Sequence, residues 1–393
     1  MSQRYLGLDL GHRYLKLCVA EENNFGVLTP LSLVDRKIYS FKNGEIIDTE
    51  LFQEEVVNFL LEISKQIGQK ISNIALSFSA PYFTSYQAHG RAIVQGKSVH
   101  QDDLERAIRL AKMSMFAPQN YTLWEEPLYY LLDSATNKIR DPLGMEARTI
   151  EVHLLIIQAM QSTIYKIEQI FKKNKINLSQ IVPNPIPASF AVLDKKDKEN
   201  GVVLIDFGSS LISVTAFKDG SLIEFKTFPF GYQDLVQELA IMNEADLEET
   251  EKALESLLNE SEEMVPKFKL KVGKKTITYQ NLIKIFEKNL VQWSKNNGLI
   301  DWFRRLKENH KLPGGAFIFG SAAHLPEVQK IFKNIINMPI KFAKSKSDVL
   351  GERGHYFLNA WGLNLLQHKE SSPGEISFWQ KLKTLYQNLL FGR

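Results

Sequence analysis

The segment Leu6-Gly7-Leu8-Asp9-Leu10-Gly11 has a near copy in the second half of the chain, Val203-Leu204-Ile205-Asp206-Phe207-Gly208. In both, mainly apolar residues lead to an Asp, then one apolar residue, then Gly. Each is followed by a second apolar run, Leu15 to Ala20 and Ile212 to Phe217, and the latter ends in Lys218-Asp219-Gly220-Ser221. Asp-Gly between alternating runs is a strong hairpin signal. One such hairpin is only a turn, and short motifs carry many false positives. A matched pair, one per half, constrains the chain to two similar lobes.

The spacing also has a chemical reading. Each Asp ends a buried strand, where its carboxylate can hold a hydrated magnesium ion. The Gly lets the backbone turn tightly, so that N–H groups approach phosphate oxygens. Two such hairpins facing each other across a cleft would clamp a nucleotide between the lobes.

The remaining pattern alternates strands and helices, which argues an α/β architecture. Glu54 to Gln69 carries a helical stripe (Val56, Val57, Leu60, Leu61, Ile63, Ile67), and Ile74 to Ser79 reads as a strand. Gln101 to Met113 is amphipathic, with Asp102 and Asp103 near its start where the helix dipole favours negative charge. Thr149 to Ile157 reads as a strand, Gln161 to Lys173 as a helix, and the acidic stretch Asn243 to Glu263 as a solvated helical face. A length of 393 residues implies several subdomains. Basic and acidic residues nearly cancel, 48 against 45, so no global field points to nucleic acid. The single cysteine, Cys18, rules out an intrachain disulfide framework and fits a reducing compartment. Met1 to Tyr5 lack the charged, apolar and small-residue order of a secretory leader, and no apolar run reaches the roughly 20 residues of a bilayer span, so a cytosolic chain is expected.

With these residues in view, the sequence resembles the actin-like superfamily and, within it, the FtsA family of bacterial division proteins. Gly7 to Gly11 and Leu204 to Gly208 look like the first and second phosphate segments. Asp141-Pro142-Leu143-Gly144-Met145, followed by Ile150-Glu151-Val152-His153, is similar to a stretch of the subdomain peculiar to FtsA-like proteins. Asn184 to Ser189 resembles the first inter-lobe connection, Pro229-Phe230-Gly231 opens a segment like the second, and Ala316 to Val328 resembles the adenosine segment. The resemblance implies a two-lobed actin-like ATPase fold with an FtsA-type inserted subdomain and a C-terminal amphipathic helix. First-lobe core is expected at 1–82 and 160–197, the FtsA-specific subdomain at 83–159, and second-lobe core at 198–231 and 311–348. The second lobe's outer subdomain falls at 232–310, the first lobe's last helix at 349–366, a linker at 367–374 and the terminal helix at 375–393.

The resemblance also implies cofactors, ATP and Mg2+. Asp9 and Asp206 would organise the metal, directly or through water. Gly11, Gly208, Ser209 and Ser210 would present N–H or hydroxyl groups to phosphates, and Gly320 and Ser321 would lie in the adenosine segment. Lys16 reaches a phosphate or points to solvent. Glu249 and Lys252 match the family's nucleotide-contacting Glu-x-x-Lys spacing, or form a surface ion pair. The chain departs from the family pattern in four places. His12 and Arg13 replace hydroxyl residues, with positive charge to offset lost donors, and Ser209, Ser210, Leu211, Ile212 and Ser213 replace a Gly/Thr-rich loop. Asn184 stands where the connection normally carries Glu, and Gly320, Ser321 and Ala322 replace three glycines. ATP binding with weak or absent hydrolysis is therefore the expectation.

After Gln367 to Gly374 comes a stripe of Ile376, Phe378, Trp379, Leu382, Leu385, Tyr386, Leu389 and Leu390, with Phe391 beyond. Lys381, Lys383 and Arg393 make it basic. Such a stripe suits a core helix, a partner's groove or an in-plane membrane helix. Aromatics beside leucines, with lysines among the polar residues, favour an anionic membrane surface. Each cation adds about 1 kcal/mol there, and each buried large apolar side chain on the order of 2 kcal/mol. FtsA-like proteins end in such a helix, which implies a peripheral protein on the cytoplasmic face of the cell membrane at the division site. Implied partners are the FtsZ C-terminal peptide, captured by the outer subdomain, further copies of the chain in filaments, and transmembrane division proteins. The basic stretch Lys267 to Lys275 suits an acidic peptide or a solvated strand. A PilM-like pilus-assembly scaffold is the alternative, supported by Lys16 and opposed by the tail. A sugar or metabolite kinase of the same superfamily is the remote one.

Overall fold

The computed structural model describes residues 3–371 apart from 116, 259–268, 274, 322, 324 and 325. The tail stripe, including Phe378, Trp379, Lys381, Leu382, Lys383, Leu385, Tyr386, Leu389, Leu390 and Phe391, lies outside the described residues.

The chain begins with β1 (Arg4–Leu10), β2 (Tyr14–Glu22) and β3 (Leu28–Lys37), an antiparallel meander. A two-residue ladder, β4 (Phe41–Lys42) with β5 (Glu45–Ile46), leads to α1 (Thr49–Gln66). Asp48 caps α1 by accepting from the Leu51 amide, and Phe52, Val56, Phe59, Leu60 and Ile63 form its buried stripe. β6 (Asn73–Phe78) then runs parallel to β1.

An inserted unit follows: β7 (Thr84–Ile93), α2 (Gln101–Ser114), β8 (Asn120–Leu132) and β9 (Thr149–Met160). Its sheet has the order β7-β9-β8 and its own core, in which Ile150, Val152 and Leu154 pack on Leu104, Ala107 and Ile108 of α2. α3 (Gln161–Lys173) returns the chain to the first lobe, where β10 (Asn177–Pro183) pairs with β6. α4 (Ile186–Val192) and α5 (Lys195–Asn200) cross to the second lobe.

That lobe starts with β11 (Val202–Phe207), β12 (Ile212–Lys218) and β13 (Ser221–Phe228), again an antiparallel meander. Its outer part holds α6 (Tyr232–Asn243), α7 (Leu247–Leu258), the hairpin β14 (Lys269–Val272) and β15 (Lys275–Thr278), α8 (Tyr279–Asn296) and α9 (Leu299–Asn309). β16 (Ala316–Gly320), α10 (Pro326–Ile336) and β17 (Ile340–Phe342) complete the inner part. Two short 3-10 turns lead to α11 (Leu358–Ser371).

The two large sheets have one topology. The first runs β3-β2-β1-β6-β10 and the second β13-β12-β11-β16-β17, each a meander extended by two parallel strands. The repeated Asp-x-Gly hairpin is thus the visible part of a repeated five-stranded unit. α11 belongs with the first lobe although it follows the second in sequence. A side chain at Gly7 of β1 would meet the Ala360 carbonyl at 2.1 Å, and one at Gly362 the Pro187 carbonyl at 1.9 Å. These glycines let α11 lie directly on β1 and α4. Asn364 Nδ2 then donates to the Cys18 carbonyl at 2.9 Å, and Gln367 Nε2 to the Leu6 carbonyl at 3.2 Å. Gln367 is buried within α11, which runs on to Ser371, past the expected linker start.

Candidate functional site

Asp9 and Asp206 are the penultimate residues of β1 and β11 and face one cavity of about 430 Å³ between the lobes. Antiparallel register places Lys16 opposite Asp9, and its Nζ lies 3.3 Å from Asp9 Oδ2. Burial pulls the Lys16 ammonium down, but Asp9 and Asp206 outweigh it and hold the group above its ordinary value. The same register places Ser213 opposite Asp206, and its hydroxyl meets that of Ser79 at 2.9 Å, joining the lobes.

Each carboxylate has a carboxamide partner. Asn184 Nδ2 donates to Asp9 Oδ1 at 2.8 Å, and Asn359 Nδ2 to Asp206 Oδ2 at 3.0 Å. Burial pushes the Asp206 carboxyl up to about 7; the Asp9 charge adds to this, while Lys16 and Asn359 oppose it. Asn184 Oδ1, Asn359 Oδ1 and Ser209 Oγ are buried without a hydrogen-bond partner.

The two residues after the first hairpin's Gly have separate surroundings. His12 Nε2 lies 3.1 Å from the Ser79 carbonyl. A carbonyl only accepts, so this nitrogen carries the proton. Burial, against the Ser79 bond and the Asp9 charge, pulls His12 below its ordinary value, so the ring is neutral at pH 7. Arg13 extends to α7, 2.6 Å from Glu251 and 3.0 Å from Glu255. The Tyr14 hydroxyl donates to Glu255 at 3.4 Å, and Lys37 lies 3.9 Å from it. Arg13 therefore bridges the lobes at the cleft mouth. This corrects the reading of the acidic stretch as wholly solvated, because Glu255 lines the cavity. At the mouth Arg353 pairs with Asp35 at 2.6 Å.

The loops are closed on themselves. The Gly11 amide donates to the Tyr14 carbonyl at 3.0 Å and the Gly208 amide to Leu211 at 2.9 Å, so neither amide is turned to the cavity. Gly320 has φ +108°, and a Cβ there would fall 2.3 Å from the Phe207 carbonyl and 2.9 Å from Asp206 Oδ1. Only glycine fits that position.

Asp9, Gly11, His12, Arg13, Lys16, Asp206, Gly208, Ser209, Gly320 and Ser321 all line the cavity. Ser210, Glu249 and Lys252 do not; Glu249 is exposed, and Lys252 pairs with Glu248 at 2.7 Å on the solvent side of α7. The sequence reading missed Ser79, Ser213, Glu251, Glu255 and Asn359. Ser213 was open to discovery, because hairpin register alone sets it opposite Asp206. Asn359 carries no local signal. Among the described residues no group of three or more His, Cys, Asp or Glu is placed to hold a metal, so a cation here would rest on the two aspartates and neutral oxygens.

The model of the SHS2 domain inserted in FtsA matches residues 81–158, the inserted unit. The chain is 21% identical to the cell division protein FtsA of Bacillus subtilis over 92% of its own length and 83% of the relative's. It is 22% identical to that of Borreliella burgdorferi, over 93% and 91%. Among solved structures, the PilM–PilN type IV pilus biogenesis complex matches with TM-score 0.66 at 14% identity, covering 93% of this chain and 98% of the other. MreB5 of Spiroplasma citri bound to ADP matches with TM-score 0.50 at 11% identity, covering 99% of each. With the repeated sheets and the inserted unit, these matches show an actin-like fold that carries an FtsA-type SHS2 domain in a chain similar over most of its length to the cell division protein FtsA.

Proposed function

We propose that the chain is a membrane tether of the bacterial division ring, binding ATP and magnesium between its lobes and linking FtsZ filaments to the cytoplasmic face of the membrane. The observation that carries the nucleotide part is the facing of Asp9 and Asp206, the Asp of each repeated hairpin, across one cavity with Lys16 beside them. The donor set fits a hydrated magnesium ion: two carboxylates, with unpartnered buried oxygens alongside. Lys16 is the cation closest to Asp9 and would turn to the phosphates. Ser209 Oγ supplies a hydroxyl to a phosphate oxygen. Magnesium, when bound, would screen phosphate charge. Hydrolysis would be weak or absent, because the neutral Asn184 carboxamide cannot take a proton from water.

The tail supports attachment through its basic amphipathic stripe at 375–393. FtsZ capture by the outer subdomain, filament assembly and contact with transmembrane division proteins rest on the similarity to FtsA. Co-sedimentation with anionic liposomes tests the tether, comparing the full chain with one ending at Gly374, each with and without ATP and magnesium. Tail-dependent pelleting is expected. A full chain that stays in solution defeats the tether. Failure to retain the FtsZ C-terminal peptide in a purified pull-down removes the division-ring role.

A second reading, a PilM-like assembly scaffold, is favoured by the 0.66 TM-score to the PilM–PilN complex. It gains if the tail binds no lipid.

A further inference from the structure

Phe25, at the tip of the hairpin between β2 and β3, is the most exposed large apolar side chain among the described residues, at 90%. Val27 is 54% exposed and Leu31 48%. Leu31 is the residue that the edge strand β3 carries in excess of β2, between Pro30 and Ser32. The tip is held by polar contacts alone. Asn23 Oδ1 accepts from the amides of Phe25 at 2.9 Å and Val27 at 3.0 Å, and the Asn23 amide donates to the Val27 carbonyl at 3.0 Å. The Phe25 ring therefore adds almost nothing to the turn that presents it. A single exposed apolar residue is ordinary, but three within seven residues gain meaning from what lies beside them.

α11 ends at the base of this hairpin. His368 Nε2 lies 3.6 Å from Glu22 Oε2, the Tyr5 and His368 rings meet edge-on at 5.6 Å, and the Tyr5 hydroxyl donates to Glu22 at 3.3 Å. Phe25 follows Glu22 by three residues, so the backbone of the tip lies within about 10 Å of it. The described chain leaves α11 at Ser371, and the basic apolar stripe begins at Ile376, a reach of at most about 18 Å. The tail thus starts from the end of the first lobe at which the hairpin projects. Asp9 and Lys16 lie toward the other end of the same sheet, because Arg4 pairs with Glu21 and Leu10 with Leu15. Glu21 pairs with Arg4, and Glu22 with Tyr5 and His368, so neither stands as a bare negative charge beside the tip.

We infer that the β2–β3 hairpin is a second lipid contact, with Phe25 and Val27 entering the headgroup region of the bilayer that the tail occupies. The inference rests on the tether reading and adds an orientation to it. A single short anchor binds a membrane weakly and reversibly, and stable attachment takes two signals. A tail on a few residues of linker leaves the head free to turn. A second contact at a fixed distance makes attachment bivalent and selects the end of the first lobe that faces lipid. The cleft between the lobes then faces away from the membrane.

The test uses the full chain and vesicles of phosphatidylglycerol and phosphatidylcholine, with Phe25→Cys carrying an environment-sensitive fluorophore. Cys18 is buried and does not compete for the label. Nitroxide groups on the lipid acyl chains report contact with the bilayer, co-sedimentation measures binding, and circular dichroism verifies folding. The hairpin fluorophore is expected to shift to the blue and to be quenched when vesicles are added. A fluorophore on Ile241→Cys, in the outer part of the second lobe, should stay in water. Phe25→Ser with Val27→Ser changes two side chains that are more than half exposed, and should weaken vesicle binding about tenfold. An unquenched hairpin on bound protein, equal quenching at both labels, or wild-type affinity of the serine variant each overturns the inference while the tether stands. A hairpin label shielded in solution and uncovered by lipid overturns it too, since the chain's own tail is then the occupant. If the full chain binds no vesicles, the tether reading itself falls, and this inference with it.

Discussion

Arg13 lies 2.6 Å from Glu251 and 3.0 Å from Glu255, so the turn of the first hairpin is bound by charge to α7 of the other lobe. Arg13 and Glu251 are each 18% exposed, a setting between a screened surface pair and a buried one. The positive charge that Arg13 brings to the first hairpin turn is therefore directed at carboxylates. Arg13→Ala removes the bridge and leaves two carboxylates near each other. Charge-assisted bonds of this kind are worth about 1.5–3 kcal/mol. Amide exchange in α7 should accelerate by a factor of about ten or more, with exchange in β1 and β11 unchanged. Unchanged α7 protection would mean that the bridge does not hold the lobes.

Asp206 gives the folded chain a pH dependence. Its folded value of about 7 lies above the ordinary 3.8. Between those values the folded state binds more protons than the unfolded one, so the contribution is full below about pH 4 and lost as pH rises through 7. Each unit corresponds to about 1.4 kcal/mol. Asp206→Asn cannot ionise. In urea melts without nucleotide, it should gain on the wild type by a few kcal/mol between pH 4 and pH 8. Parallel curves across that range would contradict the assignment.

Gly7→Ala tests the seating of α11. The added methyl falls 2.1 Å from the Ala360 carbonyl, a backbone atom that cannot swing aside. Overpacking of this sort costs about 1–3 kcal/mol or more. Chemical denaturation should show at least that loss. Wild-type stability would show that α11 can slide without cost.

On the proposed tether, tail-dependent binding to vesicles should depend on charge as well as on apolar area. Lys381→Glu with Lys383→Glu reverses two cations near the surface, each worth about 1 kcal/mol. Binding to anionic vesicles should fall by a factor of about ten or more, with little change on neutral vesicles. Equal loss on both would contradict a role for charge in the proposed tether.

Much of the plan was legible because it is local. Asp9 and Asp206 stand out through the alternation and the Gly that follows, features fixed within about six residues of strand and turn. The α3 span Gln161–Lys173 follows from apolar spacing alone, since Ile164, Ile167, Ile170 and Phe171 form its buried side. Even the SHS2 unit carried its own stretch, Asp141 to His153.

Other features depend on phase and distance. On α7 the residues at the family's Glu-x-x-Lys spacing are Glu249 and Lys252, yet Glu251 and Glu255 meet Arg13. An acidic helix states its composition, but its rotation is set by which residues bury, here Thr250 and Leu254. Asn359 is more remote still. Nothing around it marks a binding residue, and it reaches Asp206, 153 positions earlier, because Gly7 and Gly362 let α11 settle against β1 and α4. Strand alternation and turn chemistry lie within the reach of neighbouring residues, so the sequence alone determined the two carboxylates. Their amide partners and the ionic bridge come from packing between elements far apart in the chain, so only the tertiary structure decided them.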